Sequence, residues 1–217
     1  VRKDRPPLTR DRVVAAAVEL ADATGLAAVT MRAVAGTLAV EAMSLYNHVK
    51  NREDLLDGMV DAVFAEIPIP APSPQWRPAL HAIAGQTRAA LQRHPWAIGM
   101  LDSRATPGSA TLRRQDFVLG VLLEAGFSAA GAVRAVAVLD SYVYGSALTE
   151  KSLALAGDRT VAEAAEELIS TVSASEYPNL LAVARERAGG TATDSYDAEF
   201  EFGLTLLLDG LRPGARG

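Results

Sequence analysis

The sequence predicts an all-α protein, and three observations predict it. Apolar residues recur at helical spacing along most of the 217 residues. Alanine is abundant, Gly and Pro fall mostly between those stretches, and 49% of residues are hydrophobic, which suits a helical chain with a sizeable core. Within this pattern, residues 30–49 (TMRAVAGTLAVEAMSLYNHV) read as two short helices joined by a tight turn. That spacing predicts a helix-turn-helix, whose second helix is built to enter a DNA major groove.

The elements follow in order. Thr9 is placed to cap a first helix running to about residue 23, with Val13, Val14, Ala17, Val18 and Ala21 on one side and Thr24-Gly25 as its stop. Thr30 caps a second helix through Leu38, striped by Met31, Val34 and Leu38. Ala39-Val40 makes the turn, and a third helix runs from Glu41 to about Val49, with Leu45 and Val49 facing one core. Asn51 caps a fourth helix, Asp54 stands three residues on as in a capping box, and Leu55, Leu56, Met59, Val60 and Val63 form its apolar face.

Pro68, Pro70, Pro72 and Pro74 forbid any helix over 67–75 and mark the domain boundary. Beyond it, helices are expected at 76–93, 110–125, 128–156, 160–172, 177–188 and 194–211, with a short apolar piece at 96–101 after His94-Pro95. Glu163, Glu166 and Glu167 mark the solvent side of the 160–172 helix. The implied division is an arm and helix-turn-helix domain at 1–50, a linker helix at 51–66 and a helical body at 67–217.

Composition excludes several classes. The chain has no cysteine, so disulfide frameworks and thiolate metal sites are out of reach. The polar, basic opening VRKDRPPLTRDR does not read as a signal peptide, and no apolar run suits a membrane span, so a cytoplasmic location is expected. A net charge of −5 argues against a general nucleic-acid binder, but its distribution matters more. Residues 1–55 carry eight Lys/Arg and seven Asp/Glu, whereas 56–217 carry thirteen and nineteen. A basic arm (Arg2, Lys3, Arg5, Arg10, Arg12) and a near-neutral head on an acidic body suit a protein that touches DNA with one end.

The head offers distinct chemistries. Tyr46 and His48 carry a phenol and an imidazole N–H suited to phosphate oxygens, and Lys50 and Arg52 flank a helix start that favours anions. Glu53 and Asp54 must then turn away from the phosphates. Base reading falls to Arg32 for a guanine edge, Glu41 for a cytosine amino group, Ala42 and Met43 for thymine methyls, and Ser44 or Asn47 for adenine.

The segments TRDRVVAAAVELADATGLAAVTMRAVA and LYNHVKNREDLLDGM resemble the DNA-binding head of the TetR family of one-component repressors, the second being especially similar to the tetracycline-repressor branch. The resemblance is strong over 8–66. It is looser in the body, through QWRPAL, HPW, EAGFS and FEFGLTLLLDGL. It implies a homodimer whose fourth helix relays effector binding to the spacing of two heads. It also implies base contacts at Arg32, Glu41, Ala42, Met43, Ser44 and Asn47, and phosphate contacts at Thr30, Tyr46, His48, Lys50 and Arg52. Ala39 stands where the family usually has Gly, which is compatible with a negative φ.

The tetracycline branch holds a magnesium–drug chelate with a His and a Glu, whose places fall here on Asp102 and on Thr149, beside Glu150. Tetracycline–magnesium is therefore not the expected effector, and no cofactor or metal is expected. An effector pocket between body helices would draw on His81, Gln86, Trp96, Met100, Asp102, Arg104, Asp140, Tyr142, Tyr144 and Ser146. The long apolar helices near 128–156 and 194–211 cannot bury all their sides within one subunit, and the resemblance pairs them with a symmetry mate. An enzyme on a helical scaffold is the competing class. The three histidines lack HExxH-type spacing, and no GxSxG, Walker or GxGxxG element occurs. A helical ligand-binding protein that reads no DNA is the third class, against which Arg32, Tyr46, His48 and Arg52 speak.

Overall fold

The computed structural model describes residues 6–70, 75–103, 107–155, 161–189 and 196–214, and among them it is all helical. Helix α1 (Arg10–Thr24) starts at Thr9, whose hydroxyl accepts from the Arg12 amide, and stops at Gly25 with φ 85°. A 3-10 turn, Leu26–Ala28, leads to α2 (Met31–Leu38), capped by the Thr30 hydroxyl on the Ala33 amide at 3.1 Å. Helix α4 (Arg52–Ala65) is capped by Asn51 on the Asp54 amide at 2.8 Å. Each of these three caps satisfies an amide that its helix leaves unpaired.

Two expectations for the head need correction. Regular α-helix in α3 covers Ala42–Leu45, and the chain then tightens: His48 N–H reaches Leu45 at 2.9 Å and Tyr46 N–H reaches Met43 at 3.3 Å. The shortening brings both Leu45 and Val49 fully into the core while leaving Asn51 free to start α4. Ala39 does not keep a negative φ; it sits at φ 50°, ψ 50°. Its amide bonds to Gly36 O and that of Val40 bonds to Ala35 O, each at 3.0 Å. This is the paired closure that requires a left-handed residue after a helix. An alanine there carries a steric cost of about 1 kcal/mol, so Ala39→Gly should stabilise the protein by about that amount. The check is a higher urea midpoint at unchanged m value.

The body follows the predicted order with helix ends shifted by at most two residues. Its helices are α5 (Trp76–Arg93), α6 (Ser109–Glu124), α7 (Ala129–Leu155), α8 (Val161–Thr171), α9 (Pro178–Ala188) and α10 (Tyr196–Gly210), with a 3-10 segment at Pro95–Ser103. Helix α4 packs on α1 from the head and on α6 from the body, α5 packs on α7, α10 lies against both, and α8 pairs with α9. One buried cluster runs from Val13 to Leu208 through α1, α2, α3, α4, α5, α6, α7 and α10, with none of its buried residues on α8 or α9. Helix α4 supplies Leu55, Met59, Val63 and Phe64 to it, so the linker helix is part of the core. No described helix is long and apolar enough to cross a membrane.

Candidate DNA interface

Val34, Leu45 and Val49 are fully buried and anchor α2 and α3. The opposite side of α3 is open: Met43 is 75% exposed and Tyr46 46%, and Glu41, Asn47 and Lys50 are exposed with them. Ala42, Ser44 and His48 are half-buried. On α2, Thr30 and Arg32 are exposed. Glu41 begins α3 in extended conformation (φ −71°, ψ 140°), and its side chain makes no capping bond.

Two basic residues near the start of α4 make specific contacts. Arg52 donates from Nε to Val29 O at 3.1 Å, one residue before Thr30. Lys50 donates its backbone N–H to Asp54 Oδ2 at 2.8 Å. The carboxylate thus serves the residue before the cap rather than Asn51 itself, a departure from the reciprocal box expected.

Sequence reasoning missed the part played by Arg10, which it grouped with the basic arm. Arg10 grips Asp54 with both Nη atoms at 2.7 and 2.9 Å and also donates to Asp54 O and His48 O at 3.2 Å. A planar guanidinium matched to a carboxylate in this two-pronged way is among the stronger polar contacts. It ties the end of α3 and the start of α4 to α1. The Arg10 hydrogen bond, aided by the Lys50 amide, holds the Asp54 carboxyl down at about 2. The available signal was an acid at a helix start otherwise suited to phosphate, which needs a cation of its own. Arg12 turns back on Pro6 O and Pro7 O. Arg2, Lys3 and Arg5 lie outside the described residues.

The body candidates do not gather in one place. Trp96 is buried and donates its indole N–H to Asp22 Oδ1 of α1 at 2.6 Å, so it joins the body to the head. His94 lies beside it, its ring nitrogens 2.8 Å from Asp22 and 3.1 Å from Glu66 at the end of α4. His81 pairs with Glu201 across α5 and α10 at 2.7 Å. Asp140 accepts from the buried Arg114 at 2.8 Å. Met100 is buried, Tyr144 is half-buried against the core, and the buried Gln86 Oε1 has no hydrogen-bond partner among the described residues. Tyr142 and Ser146 line a cleft of about 490 Å³ between α7 and α10, together with Thr149, Glu150 and Phe200. Tyr142 also donates to Phe200 O at 2.9 Å. Arg104 and the Asp102 side chain lie outside what is described.

Thr149 and Glu150 are each engaged within the body. The Thr149 hydroxyl donates to Gly145 O in its own helix at 2.9 Å. Glu150 is held by Arg88 and Gln92, each at 2.7 Å.

A helix-turn-helix head with its second helix open to solvent, carried on a larger helical body, defines a DNA-binding transcriptional regulator of the one-component kind. The model for "Bacterial regulatory proteins, tetR family" matches residues 13–59, and that for "Tetracyclin repressor-like, C-terminal domain" matches 69–214. The chain belongs to the TetR family. It is 35% identical to an HTH-type transcriptional regulator of Saccharopolyspora erythraea over 212 residues, 96% of this chain and 86% of that one. It is also 35% identical to the HTH-type transcriptional repressor DrrR1 of Streptomyces coeruleorubidus, over 97% of this chain and 79% of that one. Among solved structures, ActR of Streptomyces coelicolor in complex with actinorhodin superposes with a TM-score of 0.79 at 29% identity, covering 95% of this chain and 97% of that one.

Proposed function

We propose that this regulator is a cytoplasmic repressor that binds a near-palindromic operator as a two-fold homodimer and is released by a small-molecule effector. Residues 1–50 read the DNA, 51–66 link, and 67–217 hold the effector and the second copy. The observation that carries the reading is the open face of α2 and α3, where Arg32, Met43, Tyr46 and Asn47 stand exposed over a fully buried Leu45 and Val49. Arg32, Glu41, Ala42, Met43, Ser44 and Asn47 meet base edges, and Thr30, Tyr46, His48, Lys50 and Arg52 meet phosphates. The dimer rests on apolar side chains that one chain leaves in water: Val133, Val138 and Leu148 on α7, and Phe202 and Leu206 on α10. Two-fold symmetry then separates the half-sites by about one helical turn, roughly 34–36 Å, or a multiple of it. DrrR1 is named a repressor and ActR is solved with actinorhodin, which supports repression and a small-molecule effector for this chain.

The test is selection of duplexes from a random palindromic pool, followed by a salt titration of the winner. The logarithm of affinity should fall steeply with the logarithm of salt as phosphate counterions are released. Arg32→Ala should cost about 1–3 kcal/mol and relax preference at one base pair, while Arg52→Ala should lower the salt slope by about one. Enrichment of no duplex would leave a helical ligand-binding protein. Release of the duplex by tetracycline–magnesium would overturn the assignment of Asp102 and Thr149.

A further inference from the structure

Helix α6 has no cap of its own. The residue before it, Gly108, has no side chain to offer, and the amides that open the helix turn instead to Asp61, 49 and 50 residues earlier on α4. Asp61 Oδ1 accepts from Ala110 N at 2.9 Å, Thr111 N at 3.0 Å and Thr111 Oγ1 at 3.2 Å. The fit depends on the bare glycine, because a Cβ on Gly108 would stand 2.1 Å from Asp61 Cγ. A carboxylate on free helix amides gains both from hydrogen bonding and from the helix dipole.

Around this contact, head and body are parted by a crevice of about 560 Å³. Arg10, Asp54 and Gly58 lie on the head side of it, and Pro107, Ser109 and Arg113 on the body side. A second junction lies further along α4, where His94 meets Asp22 and Glu66 and Trp96 meets Asp22. Asp61 and Glu66 are five residues apart on one helix, about 7.5 Å along its axis. One junction alone leaves a head free to pivot about it; two separated junctions fix its angle. Helix α6 also continues into the body interior. Arg114, one turn beyond the capped amides, reaches Asp140 on α7 and Thr87 on α5 and lies 5.7 Å from the centre of the Phe64 ring on α4.

We infer that Asp61 is the positioning residue that fixes the angle of the DNA-reading head, by capping the start of α6 across the crevice. The link from head angle to operator choice rests on the dimeric reading proposed above; the latch itself does not. Because α6 carries Arg114 into the body, a rearrangement there that moves the start of α6 pulls directly on this carboxylate.

Two measurements test it. The chain has no native cysteine, so Thr37→Cys on the head and Leu123→Cys on α6 accept a pair of spin labels. The distance distribution within one chain, read in doubly labelled protein diluted with unlabelled chain and without DNA, should be narrow in the parent. It should stay narrow in Asp61→Asn, which keeps an acceptor oxygen, and broaden in Asp61→Ala and in Gly108→Ala. The duplex selected by the parent is then compared with duplexes whose half-sites are one base pair closer or further apart. Asp61→Ala should lower the preference for native spacing at least about fivefold, while binding to a single half-site changes less than about twofold. Unchanged label distances in Asp61→Ala and Gly108→Ala overturn the latch, whatever the DNA result. Broadened distances with unchanged spacing preference overturn its role in operator choice. Failure of the parent to enrich any duplex counts against the functional reading, and the label distances still decide the latch.

Discussion

Phe202→Glu is expected to convert the protein to monomers and to abolish operator binding. Phe202 is 73% exposed on α10 and Leu206, one turn on, is 64% exposed. Side chains of this size in water favour burial by about 1.5–3 kcal/mol each. In the two-fold interface proposed above every residue counts twice, so these two positions would supply about 6–12 kcal/mol before the cost of association is subtracted. A glutamate at 202 removes half of that set and places two carboxylates in an apolar seam, where each unpaired charge costs several kcal/mol more. Dimer dissociation should rise by more than about a thousandfold, read by sedimentation equilibrium. Phe202→Ala should move it in the same direction by less. Helical circular dichroism should survive, because the side chain faces solvent within the subunit. A Phe202→Glu protein that still sediments as a dimer would place the interface elsewhere.

Arg114→Ala should destabilise the body by about 3 kcal/mol, toward the lower end of what breaking a buried ion pair costs. Arg114 is 5% exposed and bonds Asp140 at 2.8 Å and the fully buried Thr87 hydroxyl at 3.3 Å. Its removal leaves the Asp140 carboxylate, on a side chain 23% exposed, without its cation. The remaining access to water keeps the penalty from the upper end of the range. Replacing both partners with leucine should recover most of the loss, since two apolar groups of similar volume leave no charge behind. Urea unfolding reads both variants. A single variant as stable as the parent would mean that the pair is solvated in practice. A double variant no better than the single would mean that packing, not charge, is at stake.

Much of the architecture was legible along the chain because it is set within a few residues. Thr9, Thr30 and Asn51 each bond an amide three positions on, and each helix begins where its cap predicts. The body helices keep their predicted order because Pro, Gly and apolar spacing act locally. In the head, that same spacing separates buried Leu45 and Val49 from exposed Met43 and Tyr46, while the expected contact residues came from side-chain chemistry and from the family resemblance. The left-handed Ala39 was not legible, since alanine does not announce a positive φ and only closure of the turn imposes one.

The sequence by itself determined the order of the helices, the caps at Thr9, Thr30 and Asn51, and the helix-turn-helix, since hydrogen bonds over three or four residues and a 3.6-residue period need no knowledge of the rest of the chain. The tertiary structure alone decided the polar partners. Arg10 left the basic arm for Asp54, His94 took Asp22, Trp96 left the expected pocket for the same carboxylate, and Asp61 became the cap of a helix that begins far beyond it. These pairs lie 44, 72, 74 and 49 residues apart. A charged or polar group takes whatever partner packing brings within about 3 Å, and a linear pattern cannot show which one that is.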